Sequence, residues 1–245
     1  MFNLFRKRKE AIPLFESLGT DIHCHLIPGV DDGSKNYEES IECIRRMYEL
    51  GYRKMYITPH FQYPRYPNVE EDIKCRYEDL KKKVKESGVG MELIGVGGEY
   101  RIDDGFKKRV ENPCFLKISD KYVLVELSLH QPRLGIAEVI FELQTKGYEV
   151  ILAHPERYPY LGSTSQELER LKDQDVYFQI NVLSLSGFYG EMARKTGYDL
   201  IDRGWVEFLG TDMHNMKYAE ALTDASHDKK IRKLLDKCEF MNCKL

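Results

Sequence analysis

Two histidines separated by one residue, His23 and His25, follow a short apolar stretch near the start of the chain and precede a carboxylate turn. Alternate residues of a strand point to the same side, so both imidazoles can face a single point, as in a metal site. The same pair could also belong to an ordinary core, because imidazole is both a common ligand and a frequent buried group. The positions of the remaining histidines decide between these interpretations.

Apolar stretches of strand length recur along the chain, near residue 20 and at 54–58, 91–96, 122–127, 149–153, 176–182 and 205–209. They alternate with helical patterns, the first of which is predicted to begin at Asn36, three positions before Glu39. This alternation predicts parallel strands with right-handed crossovers. We therefore predict an α/β fold, a (β/α)7 or TIM-like barrel, with a doubly wound open sheet as the alternative.

The composition favours one globular domain in a reducing compartment. A chain of 245 residues can bury a full core, and we find no repeat or flexible linker, so we divide it into a basic tail at 1–19 and one domain at 20–245. A net charge of −3 argues against nucleic acid binding through phosphate contacts. Six cysteines without paired spacing predict reduced thiols and a cytoplasmic location.

The N-terminal tail combines a basic run at 6–9 with Phe2, Leu4 and Phe5. No segment of the chain has the length of apolar sequence that a membrane span requires. The tail could instead make a peripheral contact with an anionic membrane surface or an acidic partner. The alternative is a solvated, frayed tail.

Most of the histidines and several carboxylates stand where a predicted strand ends. The residues concerned are His23, His25, His60, Glu99, Glu126, His154, Asp212 and His214. In a parallel barrel these strand ends meet at one rim, where barrel enzymes hold their chemistry. Imidazole and carboxylate donors without thiolate suit Zn, Mn or Fe, and their number exceeds what one tetrahedral ion can use. The sequence therefore predicts two or three divalent ions bridged by a carboxylate.

The motifs carrying these residues resemble, in wording and order, those of the polymerase-and-histidinol-phosphatase (PHP) superfamily. Within it, they are most similar to the bacterial manganese-dependent protein tyrosine phosphatases of capsular and exopolysaccharide clusters. The matching motifs are His-x-His at 23–25, Asp-Asp-Gly at 31–33, Thr-Pro-His at 58–60, Gly-Glu at 98–99, Ala-His-Pro-Glu-Arg at 153–157 and Gly-Thr-Asp-Met-His-Asn at 210–215. The resemblance covers about residues 20 to 220.

The resemblance implies a distorted (β/α)7 barrel with three Mn²⁺ ions, whose donors Fe or Zn could also use. It implies one ion held by His23, His25, Glu99 and Asp212. It implies a second that shares Glu99 and takes Glu126 and His154, and a third held by Asp32, His60 and His214. The adjacent Asp31, if it is not a ligand, is expected to cap a turn with Gly33.

Arg157, three residues past a predicted ligand, is the predicted phosphate-binding residue, because its planar fork matches two phosphate oxygens. The alternative is a salt bridge to Glu156 or another rim carboxylate. Related proteins often have an arginine after Asp-x-His-Asn, where this chain offers only Lys217, and the sequence indicates no other guanidinium near the ions. Tyr63, Arg65, Tyr66 and Tyr100 are expected either to line a substrate mouth or simply to pack.

The predicted reaction is hydrolysis of phosphotyrosine. No cysteine is followed six positions later by arginine, so the expected nucleophile is metal-bound water or hydroxide rather than a thiolate. The resemblance implies that the substrate is a bacterial tyrosine kinase of polysaccharide synthesis. Two alternatives stay open: another PHP phosphoesterase acting on histidinol phosphate or a nucleotide, and a metal-bound docking module without activity.

Overall fold

The structure of the protein, a computed structural model, describes residues 10–245. The basic run at 6–9 and its predicted contact with a membrane or an acidic partner lie outside the described residues. Phe15 and Leu18, inside the predicted tail, are buried in the main hydrophobic core, and the Phe15 ring stacks on Tyr52. The division at residue 20 stays a prediction. In the described part of the chain, no helix is both long and apolar enough to cross a bilayer.

Short strands alternate with helices along the chain. The strands are β1 (Thr20–Asp21), β2 (Lys54–Ile57), β3 (His60–Phe61), β4 (Glu92–Val96), β5 (Glu99–Arg101), β6 (Tyr122–Glu126), β7 (Glu149–Ala153), β8 (Tyr177–Asn181) and β9 (Phe208–Gly210). The helices are α1 (Tyr37–Glu49), α2 (Glu70–Glu86), α3 (Phe106–Glu111), α4 (Ile136–Thr145), α5 (Gln166–Asp173), α6 (Val182–Leu185), α7 (Glu191–Asp202), α8 (Met216–Ala225) and α9 (Lys229–Leu235). Two 3₁₀ turns occupy Pro155–Arg157 and Met241–Lys244. As predicted, Asn36 caps α1, because its side chain accepts from the N–H of Glu39 at 2.9 Å.

The strands form two parallel sheets, ordered β1-β2-β4 and β3-β5-β6-β7-β8-β9. Backbone contacts join the two ends of this strand order. The N–H of Asp212 donates to the carbonyl of His23, and the N–H of His25 donates to the carbonyl of Met213, each at 2.8 Å. Cys24 and Met213 form a parallel bridge. The predicted α/β fold with parallel strands is therefore confirmed.

Two of the seven predicted strands, at 54–58 and 91–96, are each followed by a second short strand after a two-residue break. Thr58 and Pro59 separate β2 from β3, and Gly97 and Gly98 separate β4 from β5. Proline has no N–H to donate to a ladder, which favours an interruption there. A Cβ atom at Gly98 would lie 2.7 Å from the ring of Phe61, so only glycine fits the close approach. The pairing resumes between β3 and β5, and the nine segments correspond to the seven predicted strands.

Alternation along the strands places the candidate ligands above a packed interior. In β6, Tyr122 and Leu124 belong to a small apolar cluster that also includes Ile151 and Phe208. Residues two apart share one side of a strand, so Glu126 continues the row of Tyr122 and Leu124. A larger core lies between the strands and the surrounding helices. Glu126 thus stands at the carboxyl end of β6, above this apolar cluster.

Candidate metal centre

Four donor atoms from three strand ends lie close together. Nε2 of His23 lies 3.2 Å from Nε2 of His25, and each lies 3.3 Å from Oε2 of Glu99. Oδ1 of Asp212 lies 3.5 Å and 3.3 Å from the same two nitrogens. Four donors at the corners of a tetrahedron with bonds of ~2.1 Å stand about 3.4 Å apart. These four residues therefore fit around a single ion.

The carboxylate of Glu99 supports this fit. Its Oε2 atom is buried and forms no hydrogen bond of good geometry within residues 10–245, although nitrogens of His23, His25 and His60 lie 2.9–3.3 Å away. A buried oxygen without a hydrogen bond is costly, whereas a cation among the four atoms would satisfy it. The chemistry of the donors matches ions that accept both nitrogen and oxygen.

Charge is tightly coupled across the cluster. Burial alone would raise the pKa of Glu99, but attraction to His23 and His60 and a hydrogen bond from His154 hold its pKa well below the usual range. Burial opposes the charged form of His25, yet the carboxylates of Asp31, Asp212 and Glu99 raise its pKa well above the ordinary value. The carboxylates thus stay ionised and attract positive charge into the cluster.

The third predicted set lies at the outer edge of the cluster. Oδ1 of Asp32 lies 3.5 Å from Nε2 of His60 and 3.7 Å from Nε2 of His214. Nδ1 of His214 lies 2.7 Å from the carbonyl oxygen of Asp212, which leaves Nε2 directed toward Asp32. Asp32 is 43% exposed, so this edge is the solvent side of the cluster.

The second predicted set comprises Glu99, Glu126 and His154. Glu99 lies near both of the other two residues, but Glu126 and His154 belong to different groups of donors. Oε1 of Glu99 lies 2.9 Å from Nε2 of His154. Oε1 of Glu126 lies 3.2 Å from Nδ1 of His60 and accepts from Nε of Arg101 at 2.9 Å. Glu126 therefore groups with His60 and Glu99, whereas His154 groups with His23 and Glu99. All nine predicted ligands lie in one cluster, and their division among individual ions stays a prediction.

Arg157 forms the salt bridge weighed for it and also lies beside the cavity above the cluster. Its Nη1 donates to Oδ2 of Asp212 at 2.7 Å, and its guanidinium lies 4.1 Å from the centre of the Tyr189 ring. The predicted alternative, a salt bridge to a rim carboxylate, is thus present. Arg157 also lines the cavity above the cluster, so its remaining N–H groups can reach a bound anion.

That cavity has a volume of about 210 Å³. Its lining comprises Asp32, His60, Gln62, Arg65, Tyr66, Arg101, Glu126, Leu129, His154, Arg157, Asp212, His214, Asn215 and Tyr218. The interpretation that no other guanidinium lies near the ions is wrong, because Arg65 and Arg101 are among these residues. Arg101 stands two positions after Glu99 on β5, so strand alternation could have indicated it. Lys217 is not among these lining residues: it is exposed on α8, with Nζ 5.5 Å from the centre of the Phe188 ring. Its predicted role in place of an arginine stays a prediction.

Of the four residues expected to line a mouth or to pack, two line the cavity, one is exposed beside it and one packs in the core. Arg65 and Tyr66 line the cavity, and Tyr63 lies exposed on the same loop. Tyr100 is fully buried and stacks on Phe61, so it packs.

Several residues that orient the histidines were missed from the sequence. Oε1 of Gln179 lies 2.7 Å from Nδ1 of His23, and Oδ2 of Asp31 lies 2.8 Å from Nδ1 of His25. Such partners hold the proton on Nδ1 and leave the Nε2 lone pair for a metal. Asp31 also accepts from the N–H of Gly33 at 2.9 Å, as expected of a turn cap. The sequence could have indicated a role for Gln179, because it is a polar residue inside a buried strand.

Asp212 is fixed by further hydrogen bonds from its surroundings. Nδ2 of Asn181 donates to Oδ2 of Asp212 at 2.9 Å, and Nε2 of Gln179 donates to Oδ1 of Asn181 at 2.8 Å. Both Asp212 and His154 have left-handed backbone, with φ of +53° and +36°. Side-chain-bearing residues reach this conformation at a cost of ~1–3 kcal/mol, and they cluster at functional sites. The surrounding fold thus holds two candidate ligands in a strained arrangement.

Residues 19–237 match the family described as "Capsular polysaccharide synthesis, CpsB/CapC". The chain belongs to this family. It is 30% identical to CapC of Staphylococcus aureus over 221 residues, which cover 89% of this chain and 86% of that one. It is also 30% identical to tyrosine-protein phosphatase YwqE of Bacillus subtilis (strain 168) over 199 residues, which cover 80% of this chain and 78% of YwqE.

The fold of this CpsB/CapC chain is also similar to a solved structure. A crystal structure from the pair YwqE of Bacillus subtilis and CpsB of Streptococcus pneumoniae, described as metal-dependent tyrosine phosphatases, superposes with a TM-score of 0.79. The two chains are 24% identical, and the superposition covers 92% of this chain and 94% of the other. The likeness establishes that the two chains share a fold.

Proposed function

We propose that this protein is a metal-dependent protein tyrosine phosphatase that hydrolyses phosphotyrosine. The observation that carries the proposal is the cluster of imidazoles and carboxylates beneath a cavity lined by arginine, in a chain of the CpsB/CapC family. The proposed ligands are His23, His25, Asp32, His60, Glu99, Glu126, His154, Asp212 and His214. The proposed ions are two or three Mn²⁺, with Fe or Zn able to use the same donors.

Divalent ions in the cluster would supply Lewis-acid charge and a water acidic enough to act as a nucleophile near neutral pH. The protein supplies the geometry around that chemistry. Arg157 is anchored to Asp212 through Nη1, which leaves its other N–H groups to bind and orient two phosphate oxygens. A tyrosinate leaving group, with a phenol pKa of ~10, needs little help from a general acid. This arrangement favours aryl over alkyl phosphates.

The thiols support a route that does not use cysteine. Among the described residues, no cysteine lines the cavity. Cys24, between two predicted ligands, is fully buried, its Sγ lies 3.3 Å from the carbonyl oxygen of Tyr56, and burial raises its pKa well above the ordinary value. All six cysteines are free, which agrees with the proposed cytoplasmic location. The proposed substrate protein is a tyrosine kinase of capsule or exopolysaccharide synthesis.

The test is hydrolysis of a phosphotyrosine peptide before chelation, after EDTA, and after restoring Mn²⁺. We expect activity to disappear with EDTA, to return with Mn²⁺, and to survive alkylation of exposed thiols. Histidinol phosphate and a nucleoside 5′-monophosphate serve as competing substrates in the same assay. Faster turnover of either one, full activity after exhaustive chelation, or no hydrolysis of any ester would reject the proposal.

A further inference from the structure

A rigid turn borders the cavity on one side. The N–H of Gln62 donates to the carbonyl of Tyr66 at 3.0 Å, and the reverse bond measures 2.6 Å. Beside the turn, the N–H of Tyr63 donates to Oδ2 of Asp103 at 2.7 Å, and Nδ2 of Asn68 donates to the carbonyl of His60 at 2.7 Å. The side chains on this turn are therefore presented by a fixed backbone.

Arg65 is the exposed cation of this turn. Its side chain is 63% exposed, and its guanidinium lies 4.9 Å from the centre of the Tyr66 ring. The Tyr66 ring in turn lies parallel to the imidazole of His60, with centres 5.5 Å apart and planes 7° apart. The stack holds the guanidinium at the mouth without using its N–H groups.

The three arginines at the mouth differ in how fully they are paired. Arg157 and Arg101 donate to carboxylates at 2.7 Å and 2.9 Å, whereas the ion pair between Arg65 and Asp32 is longer, at 3.8 Å. Arg65 thus keeps its planar fork available to a carboxylate arriving from solvent. The neighbouring Tyr63, 67% exposed, adds an aromatic surface beside it.

The cavity is too small to enclose more than a small part of a protein substrate, so the rest of the substrate would lie on the surface around its opening. A volume of about 210 Å³ is below the ~300 Å³ at which small-molecule sites commonly begin. A cavity of this size holds little beyond one phosphorylated side chain, so the residues on either side of that side chain would lie across the opening of the cavity. The Gln62–Tyr66 turn is one wall of that mouth.

We propose that the Gln62–Tyr66 turn docks the segment flanking the phosphotyrosine, and that Arg65 makes the enzyme prefer acidic residues there. This inference rests on the phosphatase activity proposed above and names its substrate class, a phosphotyrosine with Asp or Glu within a few positions. An exposed charge pair contributes up to ~1 kcal/mol, which is about a fivefold preference.

The experiment compares three phosphopeptides that differ only in flanking residues: Glu, Gln or Lys on both sides of the phosphotyrosine. For the wild-type protein we expect kcat/KM to be about fivefold higher for the Glu peptide than for the Gln peptide, with the difference in KM. The preference should shrink in 0.5 M NaCl, because salt screens exposed charges. Arg65→Glu should invert the order of the Glu and Lys peptides, and Arg65→Lys should retain part of the original preference.

Ratios between peptides are compared within each variant, so a general change in turnover does not enter. Arg45→Glu, an exposed charge reversal on α1, is the matched control and should keep the wild-type order. Equal rates for all three peptides with the wild-type protein, or the same Glu preference in Arg65→Glu, would overturn the docking proposal and leave the phosphatase activity standing. Absence of hydrolysis of every peptide would overturn both.

Discussion

Replacing Gln179 with methionine should loosen the candidate metal centre without touching any predicted ligand. Gln179 is fully buried on β8 and links two groups: Nδ1 of His23 on one side and Oδ1 of Asn181 on the other. Methionine has a similar length and no polar hydrogen-bonding group of comparable strength. The change therefore removes both links while conserving volume.

The expected magnitudes follow from these two hydrogen bonds. Each buried polar group left without a partner costs ~1–3 kcal/mol, and two are left here, so the chelated Gln179→Met protein should lose about 2–6 kcal/mol of unfolding free energy. Loss of a partner that orients a metal-binding histidine lowers metal affinity by ~10–100-fold. We expect metal affinity to fall because the His23 ring would no longer be fixed in the orientation that directs Nε2 toward Glu99 and Asp212.

Urea unfolding in EDTA measures the first quantity, and calorimetric titration of the folded protein with Mn²⁺ measures the second. Gln166→Met, an exposed substitution on α5, is the control and should change neither. Gln179→Glu should retain metal binding better than Gln179→Met, since a carboxylate still accepts from Nδ1 of His23. If Gln179→Met binds Mn²⁺ within twofold of the wild-type affinity, the residue does not orient the ligand and the reasoning is refuted.

Other predictions concern the backbone, the phosphate and the pH. His154→Gly should be more stable than His154→Ala by about 1 kcal/mol in EDTA, because glycine adopts the positive φ of this position freely; equal urea midpoints would contradict this. Arg157→Lys should lower kcat/KM for a phosphotyrosine peptide about tenfold, because the fork is lost while the charge is kept; lost metal content instead would mean that Arg157 mainly positions Asp212. Burial raises the pKa of Asp21 to about 7 despite its bonds to Thr211, so the folded protein holds a proton that the unfolded chain releases above about pH 4. The unfolding free energy in EDTA should therefore fall from about pH 4 to pH 7, and Asp21→Asn should flatten that slope; an unchanged slope would show that other groups cause it.

The sequence was sufficient to predict that the candidate ligands lie in one cluster. Parallel strands end at one edge, so His60, His154 and His214 could be assigned to one cluster from their places after apolar stretches. The pairing of Glu126 with His60 rather than with His154 depends on strand stagger, which no local pattern encodes. Pairing across strands sets the distances between side chains, and it becomes visible only in the folded chain.

Other features were hidden for different physical reasons. The division of two strands depends on Pro59 and on Gly98, whose need for a small residue arises from the Phe61 ring of another segment. Gln179 could have been singled out as a polar residue in a buried strand, but its partner His23 is 156 positions away. Arg101 was overlooked although its spacing from Glu99 on one strand put it on the same side.

The pairing of residues 20–25 with 210–213 has a consequence for how the protein is made. The bond between Asp21 and Thr211 spans 190 positions, and the bonds of His23 and His25 to Asp212 and Met213 span similar lengths. Contacts so distant in sequence form late in folding and, on the ribosome, only after both partners have been synthesised. The two histidines must therefore wait until residues 210–213 have been synthesised and have left the ribosome. The candidate metal centre becomes complete only after that stretch of the chain has emerged.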